Sequence, residues 1–307
     1  MNRPERSATY GCIPGLAHTF SESQTLTMFK KTCFNRYFEL EAKRVYDQGL
    51  MKLPIYLSLG QEHIPATISV VFSDCLIFAQ HRGHSVYLSF GGDPAMLIDE
   101  LLNRPTGCAR GMAGSASIHA PEVGMFGHSG LMGDQVPIAV GAALGSGKKV
   151  LTVMGDASAE EDYIYGAMGF AATKRLPVLF VCEDNDLAIL TRTPVRRSWT
   201  ICSVAQGLGI PAVDITDDPW LVAYHVKELT SRLPACLNIR TCRILWHAGT
   251  GCDGPPEWNR FDLIKTTMKE LGLGQQATRI ETETERIVQE QWEKQLRMSS
   301  ERPHALT

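Results

Sequence analysis

Two short apolar runs, Val150-Leu151-Thr152-Val153-Met154 and Pro177-Val178-Leu179-Phe180-Val181-Cys182, bracket a segment with a different period. Each run is too short for a helix and rich in β-branched or large apolar residues, the pattern of a strand buried on both faces. Between them Ile164, Met168 and Ala171 recur at helical spacing, after Ser158, an N-cap residue type, and a first turn carrying Glu160, Glu161 and Asp162. The spacing predicts a helix over residues 159 to 173 and a strand-helix-strand unit with parallel strands. Asp156 and Asn185 then stand at the carboxyl ends of those strands, the edge at which open α/β sheets bind ligands.

The same periodicity extends along the chain. Leu26, Met28, Phe29, Cys33, Tyr37, Leu40 and Val45 lie among charges over residues 25 to 50, an amphipathic helix with one buried stripe. Gly127, Gly130 and Gly133 precede an apolar helix from Val136 to Leu144; they read either as a tight turn or as a place where backbone approaches a ligand closely. A strand approach at 207 to 214, a helix at 219 to 232, a strand at Cys242-Arg243-Ile244-Leu245-Trp246 and a charged helix from about 276, carrying Ile280, Ile287, Val288 and Trp292, continue the alternation. Residues 1 to 24 lack periodicity and read as an irregular leader with little function. The expectation is therefore one α/β domain over residues 25 to 307, a mainly parallel sheet with helices on both faces.

Composition narrows the function. With 307 residues and 44% hydrophobic content the chain can bury a large core. A net charge of −3 gives no basic stripe for nucleic acid, and no run of about 18 apolar residues is available to span a membrane. The N-terminal residues lack the apolar core of a signal peptide, so the expected location is cytoplasmic. Nine scattered cysteines without a Cys-x-x-Cys pair fit reduced thiols, Cys108 being a small packing residue.

The candidate chemistry is that of a hard cation and a phosphate. Mg2+ takes about six oxygen ligands, few of them from side chains, and Asp156, Asn185 and the main-chain carbonyl of Leu187 offer three. Amides at the helix start, from Ala157 and Ser158, suit phosphate oxygens. Arg82 presents a planar fork of donors matched to a diphosphate. His81 and His84 flank it, as phosphate donors or proton carriers, or else as structural hydrogen-bonders. Residues 187 to 200 form a polar loop whose Arg192, Arg196 and Arg197 meet solvent, a substrate carboxylate or a partner.

The Asp156 and Asn185 arrangement resembles the thiamine-diphosphate motif, Gly-Asp-Gly followed after a helix by Asn, with Ala157 in the third position. From about residue 25 to 295 the chain resembles the α subunit of the two-component, thiamine-diphosphate-dependent 2-oxo acid dehydrogenases. Leu59-Gly60-Gln61-Glu62, His81-Arg82-Gly83-His84, the glycine-rich loop Thr106 to Ser115, and Gly130-Leu131-Met132-Gly133-Asp134-Gln135-Val136-Pro137 match its segments in order. The resemblance implies a thiamine-diphosphate-binding fold. It implies cofactor contacts from His81, Arg82, Gly130, Met132, Asp156, Ala157, Ser158 and Asn185, with Mg2+ on Asp156, Asn185 and Leu187. Catalytic roles fall to His84 and His247.

It further implies decarboxylation of a 2-oxo acid, an α2β2 heterotetramer whose β subunit supplies the activating glutamate, and a lipoyl acyltransferase or other acyl acceptor. The departures are His81 for Tyr, Ala157 for Gly, Ser117 for His, and Gly249 where the family's second loop His stands. That last change questions lipoyl coupling. It keeps open a two-subunit thiamine-dependent carboligase and, from another class, a noncatalytic partner-binding subunit.

Overall fold

A computed structural model of the chain describes residues 6–127, 129–245 and 255–300. Its strands, in chain order, are β1 (Leu76–Ala79), β2 (Met125–Gly127), β3 (Val150–Gly155), β4 (Val178–Asp184), β5 (Leu187–Ala188), β6 (Thr191–Arg192), β7 (Ala212–Thr216) and β8 (Ala235–Arg240). Six of them make one sheet in the order β2-β1-β3-β4-β8-β7, every pair parallel, while β5 and β6 form a separate antiparallel ribbon. The helices are α1 (Glu22–Asp47), α2 (His63–Val71), α3 (His84–Ser89), α4 (Pro94–Leu101), α5 (Gln135–Ser146), α6 (Asp162–Lys174), α7 (Thr193–Arg196), α8 (Ile201–Gly207), α9 (Pro219–Thr230), α10 (Arg260–Glu270) and α11 (Gly274–Ser300). Among the described residues no helix is long and apolar enough to cross a membrane.

The two continuous apolar runs are buried on both faces, as a parallel sheet between helix layers requires. Leu151, Val153, Leu179, Val181, Leu237 and Ile239 belong to a core shared with Phe29 and Phe38 of α1, Leu221 of α9 and Trp292 of α11. The alternate positions, Val150, Met154, Phe180, Cys182 and Cys236, belong to a second core with Val136 of α5, Ile164 and Met168 of α6, and Ile201 of α8. The period of two along each strand thus sorts one sequence run into two cores.

Three expectations need correction. The segment Cys242 to Leu245 is not a strand; the strand is Ala235–Arg240, whose Asn238 and Arg240 disguise it, and after it Ile244 N–H turns to the Leu59 carbonyl at 2.9 Å. Ser158 does not cap the long helix. It opens a 3-10 turn, Ser158–Glu160, and α6 begins at Asp162 behind Glu161, whose side chain makes no cap bond. The leader is seated on the body: Arg6 ion-pairs with Asp184 at 3.0 Å, and Thr216 N–H donates to the Tyr10 carbonyl at 3.0 Å.

One buried carboxylate ties the C-terminal helices to the sheet. Asp217 is fully buried and accepts from Arg260 Nε at 2.7 Å, Thr241 Oγ1 at 2.7 Å and Trp258 Nε1 at 3.0 Å, with His63 Nε2 at 3.3 Å. Burial alone would raise its pKa, but the Arg260 guanidinium and the other donors hold it well below the usual carboxylate range. We predict that Asp217→Ala, which strands the Arg260 guanidinium, lowers unfolding free energy by about 3–5 kcal/mol. Urea unfolding checks this, and a loss under about 1 kcal/mol would show that solvent reaches the cluster.

Candidate cofactor site at the carboxyl edge of the sheet

β3 and β4 run in register, Gly155 beside Glu183, so the residues that leave their carboxyl ends emerge together. Asp156 is 2% exposed; its Oδ2 accepts from Thr193 Oγ1 at 3.2 Å and is ion-paired with Arg196. Burial and the neighbouring Asp184 raise the Asp156 pKa, against the pull of Arg196. Ala157 has φ −73° and ψ −42°, an ordinary right-handed conformation, so replacing the motif's glycine costs no backbone strain here. Asn185 sits half-buried beyond β4, its Oδ1 accepting from Leu187 N–H at 3.1 Å and its Nδ2 donating to Gln61 Oε1 at 2.9 Å.

Gln61 was read only as part of a matched segment, yet it joins the site. Its amide bonds both Asn185 and, through Nε2, the buried Glu183 at 3.3 Å, which also accepts from Gln80. Gln61 is held there because Gly60 has φ +94°, and a Cβ at Gly60 would lie 2.2 Å from the Cys242 carbonyl. Only glycine allows that crossing of two backbones. The signal for Gln61 and Gln80 lay in their being amides placed just beyond apolar stretches, which composition cannot distinguish from solvated ones.

The remaining candidates divide. Arg82 is buried and donates through Nη1 to the Leu57 carbonyl at 2.5 Å; its positive charge acts on Glu183. His81 is half-buried, edge-on to Tyr56 with ring centroids 5.2 Å apart. His84 is not presented to Asp156. It is fully buried, with Nδ1 3.0 Å from Glu39 Oε2 and Nε2 2.8 Å from Ser115 Oγ, and braces the glycine-rich loop against α1. Both ring nitrogens are thus engaged within the fold, by groups from α1 and from the glycine-rich loop.

That loop is wound around Glu100, a residue sequence reasoning missed. The Glu100 carboxylate accepts amides from Ala109, Gly111 and Ala113 at 2.8 Å and from Gly114 at 3.0 Å. Cys108, in the same loop, has its thiol pushed up to about 12 by burial, and so stays a neutral packing group. The Gly130 to Met132 segment is exposed, with Gly130 at φ +117°, and the Met132 carbonyl accepts from the Tyr163 hydroxyl. Ser158 is buried at the start of its turn. His247 and Gly249 lie outside the described residues.

Of the loop arginines, Arg192 is largely exposed while ion-pairing with Asp186 at 2.9 Å, and the other two turn onto the body. Arg196 spans Asp156 and Glu160, and Arg197 lies 3.3 Å from Glu160 while stacking over Trp199. Beside them a polar cavity of about 390 Å³ opens between Arg6, Asp184, Arg197, Trp199, Asp214 and Arg240. The donor set of Asp156, Asn185 and the Leu187 carbonyl is one of hard oxygens. Among the described residues no group of three His, Cys, Asp or Glu could cage a metal. Hard oxygens of this kind would suit Mg2+, which keeps waters and phosphate oxygens in its shell, better than Zn2+.

Burial raises the Glu183 pKa from 4.5 to about 7, against the opposing pull of Gln80, Arg82 and Gln61. The folded chain therefore holds this proton more tightly than the unfolded one. Its contribution is fully present below pH 4.5 and is lost as pH rises through about 7. We predict that in metal-free buffer Glu183→Gln gains on the wild type by roughly 3 kcal/mol between those limits. Urea unfolding at several pH values reads this, and a pH-independent difference would contradict it.

Comparison with known proteins places these features. The chain is 31% identical over 210 residues to the pyruvate dehydrogenase E1 component subunit alpha of Zymomonas mobilis subsp. mobilis, covering 66% of this chain and 59% of that protein. It is 30% identical over 243 residues to the mitochondrial subunit alpha-1 of Oryza sativa subsp. japonica, covering 75% and 62%. The chain spans about half the length of the curated relatives it matches. Transketolase from Campylobacter jejuni shares the fold, with a TM-score of 0.55 at 15% identity over 91% of this chain and 49% of that one. Residues 30–237 match the family model described as Dehydrogenase E1 component, and the chain belongs to that family.

Proposed function

We propose that this chain is the α-type subunit of a two-component enzyme that binds thiamine diphosphate and Mg2+, decarboxylates a 2-oxo acid and passes the acyl unit to an acceptor. The observation that carries it is that Asp156 and Asn185 follow the carboxyl ends of adjacent, in-register parallel strands, with Leu187 N–H bonded to Asn185 Oδ1. These three would hold Mg2+, and Arg82 and the amides of Ala157 and Ser158 would face the diphosphate. Thiamine diphosphate supplies the electron sink that lets a 2-oxo acid lose carbon dioxide. The chain's own residues position it: Gln61 and Gln80 lock Glu183 and Asn185 into one network, and Glu100 and His84 shape the loop alongside.

The surface as well as the family supports a β-type partner. Met112, Leu131, Met132, Ile189, Leu190 and Val195 are exposed on the loops at and around this edge, 48% to 86% of each side chain's surface being open. Large apolar groups so exposed around a polar site mark a surface that another chain covers. An α2β2 heterotetramer is the assembly we propose, with the ring-activating glutamate on the partner. Gly249 in place of the family's loop His favours an acceptor other than a lipoyl group, including the carbonyl of a second substrate.

We predict that the chain purified with its β-type partner decarboxylates a 2-oxo acid with thiamine diphosphate and Mg2+, and that Asp156→Asn lowers kcat/KM at least about a hundredfold. Carbon dioxide release measures the first step. Product analysis separates transfer to a lipoyl acceptor from acyloin formation. Absence of thiamine diphosphate binding by the complex would refute the reading and favour a noncatalytic subunit.

A further inference from the structure

Asp156 poses a charge problem. It is 2% exposed, beside Asp184, and a carboxylate so placed is held in the fold only with a positive partner. Here the partner is Arg196. One arm of its guanidinium is on Asp156 Oδ2 and on Thr193 Oγ1 at 2.9 Å, and the other is on Glu160 Oε1 at 2.6 Å. Its Nε is buried and has no hydrogen-bond partner among the described residues, so the fit is incomplete. Arg196 ends α7, a single turn whose Val195 is 78% exposed, between Ile189 and Leu190, both exposed, and the half-buried Trp199. Few apolar contacts hold such a segment, which places it among the first to open.

We propose that Arg196 is a placeholder cation: its guanidinium sits on the Asp156 carboxylate that a divalent metal would take, and the Thr193–Arg196 turn must lift for the metal to load. This rests on the Asp156 metal site proposed above. Arg196 and Thr193 both sit on Asp156 Oδ2, so a metal taking that oxygen competes with the guanidinium for it. The ion pair therefore weakens the apparent metal affinity by the free energy needed to loosen it. The exchange is not charge-neutral: a dication takes the place of a monovalent guanidinium beside Asp156 and Asp184, and the guanidinium keeps Glu160 as a partner.

The test is Mn2+ titration of the full chain in the presence of inorganic pyrophosphate, free Mn2+ being read by electron paramagnetic resonance, alongside thermal melts in chelator. For Arg196→Gln we expect at least tenfold tighter Mn2+ binding, a lower melting temperature in chelator and a larger rise on adding metal. Arg192→Gln removes a nearby charge that touches Asp186 rather than Asp156, and should change Mn2+ binding less than twofold. Should Arg196→Gln not fold, Arg196→Lys, which keeps the charge but loses the two-armed bridge, is expected to tighten binding severalfold. Equal tightening in Arg192→Gln, or none in the Arg196 variants, overturns the placeholder while leaving the metal site standing. Mn2+ binding that survives Asp156→Asn unchanged removes the metal site itself and the inference with it.

Discussion

A carboxylate taken out of water must be met by charge or by several hydrogen bonds, and this chain buries a series of them around one edge of its sheet. Glu39, Glu62, Glu100, Asp156, Glu183, Asp186 and Asp217 are all buried, and they are answered either by arginines or by neutral donors. Arg36 meets Glu62, Arg260 meets Asp217, Arg192 meets Asp186 and Arg196 meets Asp156. Glu100 is met by main-chain amides, Glu39 by Ser58 and His84, and Glu183 by side-chain amides alone. Much of the irregular structure follows from these pairings. The glycine-rich loop winds as it does because its amides converge on Glu100, and the N-terminal segment stays on the body because Arg6 reaches Asp184.

The pairings fall into two kinds with different consequences. Asp217 is closed: its donors come from α10, from the stretch between β8 and α10, and from α2, and all are buried, so the cluster locks distant parts of the chain together. Asp156 is open on one side, since its partner Arg196 rides on a short turn flanked by exposed apolar side chains. A closed pair serves stability, whereas an open one can exchange partners. Glu183 stands between: burial raises its pKa to about 7, and the bonds from Gln80 and Gln61 and the charge of Arg82 oppose that rise without cancelling it.

The regular part of the fold was legible because its signals are local. Apolar runs of four to seven residues with Gly or Pro at their ends gave β3 and β4, and helical spacing gave α1, α5 and α11. Where polar residues entered a strand the reading slipped: Asn238 and Arg240 turn inward to Asp214, which no periodicity rule foresees. At the site, Asp156 and Asn185 were legible because strand ends fix their position. The partners of His84, Glu39 and Ser115, were not legible, because they come from distant parts of the chain. Gln61, Gln80 and Glu100 were illegible for the same reason: their meaning lies in long-range bonds.

Those long-range bonds also explain why the site depends on segments that never approach a metal. Asn185 is aimed by Gln61, Gln61 is carried by a left-handed Gly60, and Gly60 is pressed against the backbone of Cys242 and Ile244. Gly60 is the point in this path that yields least, because the two backbones crossing there leave no room for a side chain, and Asn185 therefore inherits its aim from a contact between segments far apart in the chain.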